Sequence, residues 1–296
     1  MKTLTIIAAV LLISGSLHAQ LNPMSMMYYQ DQYQANASFA GLDEGLYLSG
    51  GIRQQWSSIP GAPKTQALTA SYGLSGKRVG LGLNLNNDKS GLLRQTRVLA
   101  TYAYHLPVGD NEQKLNFGLS LGFQDENIDP SDINGDQSDV QVYRYNDRRT
   151  YVDGDFGISY TGKHLTLQAS APNLKSTFKQ DDDETIDRNI YMAGISYRWD
   201  RPGAGGTIGA WSIEPKVMFR GVKGYKNILD AGAQLSFADR TVNLLGMYHS
   251  TRNATFGFGM NFKQKLQVLG MYTTETAALR SYAGGNFEVG VRVKVF

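Results

Sequence analysis

KLNFGLSLGF, residues 114–123, decides how this chain folds. Leu115, Phe117, Leu119, Leu121 and Phe123 share one parity, and Asn116, Gly118, Ser120 and Gly122 share the other. A period of two is the repeat of an extended strand, whose successive side chains point to opposite faces. One face is apolar throughout, while the other carries glycine and small polar residues, with a charge only at its first position, Lys114. The exposed face of a soluble sheet is usually charged. Small polar residues suit the inner face of a barrel, where they leave room for other side chains or a plug.

The same alternation recurs along most of the chain. In RVGLGLNLN, Val79, Leu81, Leu83 and Leu85 oppose Gly80, Gly82, Asn84 and Asn86. Near the C-terminus Phe287, Val289, Val291, Val293 and Val295 alternate with Glu288, Gly290, Arg292 and Lys294. The pattern predicts strands over 44–56, 64–74, 77–86, 92–106, 113–124, 151–160, 163–170, 189–199, 208–221, 226–237, 240–249, 253–262, 264–273 and 285–296. That is about fourteen, many near the ~9–11 residues of a tilted membrane strand. Most long connections (57–63, 125–150, 171–188, 274–284) fall on odd-numbered links, and tight ones such as 75–76, 161–162 and 238–239 on even ones. The fold predicted is all-β: an up-and-down antiparallel transmembrane barrel with long extracellular loops and short periplasmic turns. An even strand count places both termini on the periplasmic side.

By the same parity Trp56 shares the lipid face with Leu46, Leu48 and Ile52, which places it in the outer aromatic girdle. Pro60, Gly61 and Pro63 then form the first outside turn. Phe296, by contrast, takes the inward parity of Arg292 and Lys294.

The chain has 296 residues, 33 glycines, 17 tyrosines, no cysteine and a formal net charge of +3. That balance gives no concentrated basic face for nucleic acid, and the missing thiols exclude disulfides and thiolate metal sites. The mean hydropathy of −0.31 would suggest a soluble protein, but in a barrel the lipid-facing and inward residues average out. Lys2, an apolar run and Leu17-His18-Ala19 read as a signal peptide over 1–19, followed by a periplasmic segment 20–43 and a barrel over 44–296.

Chemistry is sparse. His18, His105, His164 and His249 fall singly, with no metal-ligand spacing. In the loop DENIDPSDINGDQSD, Asp132, Asn134 and Asp136 alternate as calcium ligands do. Gln137 and Tyr143 stand where an EF-hand needs its glycine and glutamate, so a solvated acidic loop is the better reading. Asp153 and Asp155 share the inward parity of their strand, with no nucleophile–base pair beside them in sequence. No catalytic residue, cofactor or metal ligand is assigned.

Several motifs together resemble the PorP/SprF family of outer-membrane proteins of the Bacteroidetes type IX secretion system. They are YYQDQYQANASFAG (28–41) with Asn36 and Gly41, then Arg53-x-Gln55-Trp56, Gly61-x-Pro63-x-Thr65, VGLGLNLNNDKSG (79–91) and TYAYHL (101–106). The likeness runs over essentially the whole chain after the signal peptide. Where the family usually reads Asn-Pro-Ala, this chain has Asn36-Ala37-Ser38. The resemblance implies a fourteen-stranded barrel that supports secretion or surface attachment, in gliding for some members, without catalysis. Its implied partners are a secreted adhesin or other cargo with a type B C-terminal domain, and periplasmic or lipoprotein components of the system. Loop residues Asp125, Asp132, Asp136, Arg148, Lys179 and Asp182 are the candidate contacts, since binding is usually placed on loops over a rigid scaffold. A porin or substrate-specific channel is the alternative.

Overall fold

The computed structural model describes residues 26–56, 59, 61–76, 78–109, 113–128, 146, 150–175, 190–201, 210–222, 227–238, 240–275 and 284–296. Three short 3-10 turns, Met26–Tyr29, Gln32–Gln34 and Ala37–Phe39, precede the strands. These are β1 Gly45–Gln54, β2 Lys64–Gly73, β3 Val79–Ser90, β4 Leu93–Pro107, β5 Lys114–Ile128, β6 Tyr151–Thr161, β7 Leu165–Ala171, β8 Ile190–Tyr197 continued by Trp199–Arg201, β9 Trp211–Val222, β10 Ile228–Phe237, β11 Val242–His249, β12 Asn253–Phe262, β13 Leu266–Thr273 and β14 Asn286–Lys294. β8 breaks at Arg198 near Pro215 of β9, whose missing N–H cannot serve the ladder, while on the β7 side the Arg198 N–H still donates to the His164 carbonyl at 2.8 Å.

Every strand pairs antiparallel with its neighbours in sequence, and β14 pairs back onto β1, from Tyr47–Lys294 to Gln54–Phe287. The sheet is therefore a closed fourteen-stranded barrel, which leaves no unpaired edge. Its chemistry is inverted relative to a soluble protein. Phe123, Val152 and Phe256 are about 60 % exposed on the outer wall, whereas Asn116, Thr255 and Asp230 are fully buried inside. An apolar exterior with every backbone group paired is the condition for spanning a bilayer with strands. Among the described residues no helix is long and apolar enough to cross. Aromatics gather at both rims of the outer wall: Tyr72, Tyr102, Tyr197, Trp199 and Trp211 at the end with the tight turns, and Tyr191, Tyr248, Tyr272 and Phe287 at the other.

Two predicted orientations are corrected. β1 stops at Gln54, and Trp56, past the last rung with a left-handed backbone (φ 44°), is half-buried with its indole beside Glu275 rather than facing lipid. Phe296 lies beyond the last strand residue, Lys294, and swings to the outer wall against Tyr72, with ring centroids 6.0 Å apart. Parity governs a side chain only while the backbone stays in the ladder. Pro60 lies outside the described residues.

Candidate functional site

The barrel's inner wall is lined by residues too small to fill it. Ser49, Gly51, Thr69, Ser71, Gly82, Thr101, Gly118, Ser120, Gly157, Ser159, Ser170 and Gly290 all face inward. The space they leave is taken by residues 27–41, predicted to lie in the periplasm. Instead this segment crosses the lumen as a plug.

Its three turns are each short enough to bend with the wall. Asp31 caps the second turn by accepting from the Tyr33 N–H at 3.2 Å, and Asn36 caps the third by accepting from the Ser38 N–H at 3.0 Å. Both caps also reach the wall. The Thr69 hydroxyl donates to the Asp31 carboxylate. Asn36 Nδ2 donates to the carbonyls of Ala169 (3.2 Å) and Ile158 (3.4 Å). Ser38 Oγ stands 2.8 Å from both Asn36 Oδ1 and Ser159 Oγ. The Tyr33 hydroxyl meets Thr101 Oγ1 at 2.6 Å, which continues to Ser120 Oγ at 2.7 Å. His105 Nε2 donates to the Ala40 carbonyl at 3.1 Å, and Ser170 Oγ to that of Ala35 at 2.9 Å.

Glycines are required where the plug meets the wall. A Cβ on Gly118 would fall into the Ala37 carbonyl group, one on Gly82 into the Tyr33 ring, and one on Gly51 into the Met27 side chain. Gly41, with φ 62°, passes so close to Gly80 and Tyr72 that no side chain fits, and its N–H donates to Ser71 Oγ at 2.7 Å.

Across the lumen the plug meets a different surface. Met27, Tyr28 and Ala35 pack on Met192, Met218, Leu245, Met247, Leu269 and Met271, an apolar patch inside an otherwise polar barrel. The Tyr28 hydroxyl donates to Met247 Sδ at 3.7 Å. Burial, reinforced by the nearby Asp230 carboxylate, pushes the Tyr28 phenol well above its ordinary value and keeps it a donor. Flexible thioethers fill the irregular gaps between a non-helical plug and a regular wall.

Above this patch runs a buried polar chain. Arg220 Nη2 lies 2.7 Å from Asp230 Oδ2; Asp230 Oδ1 lies 2.6 Å from His249 Nδ1; His249 Nε2 meets Thr255 Oγ1 at 2.7 Å, and Thr255 meets Thr273 at 2.7 Å. The order carboxylate–imidazole–hydroxyl is that of a hydrolase relay, yet all of these side chains are buried on the wall beside the plug. Sequence reading took the histidines singly and missed this chain, because its members come from five strands.

The inward Asp153 and Asp155 are also tied up. Arg97 lies 3.0 Å from Asp153 and 2.7 Å from Asp155. The same carboxylates accept from the N–H groups of Lys175 (2.9 Å) and Asn173 (3.0 Å). They hold the start of the 172–189 loop against the lumen rather than form an acid–base pair.

Of the remaining motif residues, Arg53 is buried beside Glu288 (3.4 Å), and the Gln55 N–H donates to the Pro63 carbonyl at 2.9 Å. The Gly61 carbonyl accepts from the Gly91 N–H at 2.9 Å, and Thr65 Oγ1 donates to Asp88 at 3.0 Å. The motif is thus structural: it builds the plug, the seam and the first loop. Among the loop candidates Asp125 lies within β5, near its loop end, accepting from Thr150 Oγ1 at 2.9 Å. Asp132, Asp136, Arg148, Lys179 and Asp182 lie outside the described residues.

Solved structures of similar shape include the outer membrane protein Omp33 of Acinetobacter baumannii (7 % identity, TM-score 0.49, covering 86 % of this chain and 99 % of that one). They also include the toluene transporter TbuX of Ralstonia pickettii (12 %, TM-score 0.48, 88 % and 92 %) and a Rhodopseudomonas blastica porin mutant (12 %, TM-score 0.36, 84 % and 99 %). No curated protein matches the sequence. A family model does, the one described as type IX secretion system membrane protein PorP/SprF, over residues 17–293. The chain, a membrane β-barrel whose own residues 27–41 plug the lumen, belongs to that family.

Proposed function

We propose that this barrel is a non-catalytic docking component of type IX secretion. Its loop end, facing outward, holds a secreted partner with a type B C-terminal domain, such as a gliding adhesin, during export or surface attachment. Its turn end faces the periplasm and the rest of the machinery, with export directed by a cleaved signal peptide over residues 1–19. The observation that carries this reading is the plug. A lumen packed by residues 27–41 offers a rigid platform rather than a conduit, so partners meet the barrel at its ends. The acidic 125–150 and 171–188 connections give the loop end a large polar surface.

The porin alternative requires an open path, and the plug weighs against it. Affinity purification from native membranes tests the main reading. The partner co-purifies with the wild-type barrel and is lost when the partner's C-terminal domain is deleted; retention after that deletion would sink it. In planar bilayers the purified protein is expected to seal the membrane, and steady conductance would restore the porin.

A further inference from the structure

Among the described residues the plug leaves one part of the lumen open. At the turn end, between β8 and β13, lies a cavity of about 630 Å³ whose lining includes Asp200, Arg201, Ser236, Arg240, Thr241, Asn261, Lys263 and Gln267. All of these sit on the last rungs of their strands or in the turns joining them. Where the plug meets this region, Gln30 Nε2 donates to the Gln267 carbonyl at 3.1 Å.

Its charge is positive among the described residues. Three cations, Arg201, Arg240 and Lys263, line it against one carboxylate, Asp200, which Arg198 outside the cavity also pairs. Asp200 lies 3.1 Å from Arg198 and 3.3 Å from Arg240, and Glu214 lies 3.9 Å from Lys216. Two of the three cations also occupy costly backbone positions. Lys263 and Gln264 are the central pair of a tight turn closed by the Lys265 N–H to the Phe262 carbonyl, with φ of 48° and 56°. Arg240, in the preceding turn, has φ 62°. Glycine or asparagine makes such turns at less cost, so turn formation alone does not account for long side chains there.

We propose that this vestibule binds an acidic peptide segment of another protein, with Arg201, Arg240 and Lys263 taking its carboxylates. The cavity suits a peptide better than a small anion. Its serine, threonine, asparagine and glutamine side chains offer both donors and acceptors, which a peptide backbone uses and a free phosphate does not. It is also walled by Ser212 and Ser236 of the barrel's inward face, away from lipid headgroups. The proposal does not depend on what the loop end holds.

The test uses the full chain in nanodiscs of zwitterionic lipid, with a fluorescein-labelled hexaglutamate followed by anisotropy. Binding is expected, weakening as salt rises. The R201Q/R240Q/K263Q variant should lose affinity by about tenfold or more while keeping the heat-modifiable migration of a folded barrel. R78Q/K163Q, which removes exposed cations at the same end outside the cavity, should bind like wild type. Equal loss in both variants would reduce the effect to general surface charge. Displacement by equimolar inorganic phosphate would make it a small-anion site, and displacement by anionic lipid in the nanodisc would move it to the membrane surface. Each of these three results overturns the proposal.

Discussion

Arg53 on the first strand and Glu288 on the last stand directly opposite each other across the seam that closes the barrel, Nε and Oε1 3.4 Å apart. Both side chains are almost completely buried. Removing Glu288 takes away the nearest counter-charge of a buried Arg53 and leaves it to the more distant Asp88 and Glu275 carboxylates. E288L should therefore destabilise the barrel by about 3–5 kcal/mol, whereas R53L/E288L should recover most of that loss. Urea titration monitored by heat-modifiable migration checks both. A double variant no more stable than E288L would show that the seam does not depend on pairing these charges.

The plug's fit predicts opposite outcomes for glycines of equal size. Valine at Gly118 meets Ala37, and overpacking of this kind costs about 1–3 kcal/mol, enough to favour release of the plug. At Gly246 and Gly270 a Cβ meets nothing within 4 Å, and β-branched residues suit strands. G118V should expose residues 27–41 to protease and raise bilayer conductance, while G246V and G270V leave both unchanged. Indifference of all three would mean that the plug is not held by this wall.

The barrel was legible in the sequence because its period-two alternation persists over whole strands. Leu115 to Phe123 announces both faces at once. The plug was not, because 3-10 turns of three or four residues repeat nothing long enough to read. Its trace lay in the wall: Gly51, Gly82, Gly118, Gly157 and Gly290 all keep the inward face empty, and sequence reasoning noted room for a plug without finding the segment that fills it. Trp56 and Phe296 escaped for the converse reason, each standing just past the residue where the ladder releases the chain.

Asn36 and Tyr33 should differ in how much they hold. Asn36 both caps a turn and donates to the wall, so N36A loses about 1–2 kcal/mol from the cap alone and its amide's bonds to β6 and β7 as well. Y33F removes only the hydroxyl shared with Thr101, at about 1 kcal/mol. Hydrogen exchange of residues 31–40 separates them, since N36A should speed exchange more than Y33F. The reverse order would place the anchor at Thr101 rather than at β6 and β7.

Glu275, just past β13, gives the loop end a pH dependence of definite sign. Burial raises its carboxyl above the ordinary value, and that effect outweighs the Trp56 hydrogen bond and the Arg53 charge, which pull the other way. The folded chain therefore holds this proton more tightly than the unfolded chain. Its contribution is complete below the unfolded value of about 4.3 and is lost as pH rises through the higher folded value. E275Q keeps a neutral side chain of the same shape and lacks this titration. Relative to E275Q, the wild-type urea midpoint should fall as pH rises from about 4 to 7, with Trp56 fluorescence changing over the same interval. Parallel midpoints across that range would show that Glu275 is equally free to ionise in both states, and that the contact with Trp56 sets the loop without regard to its charge.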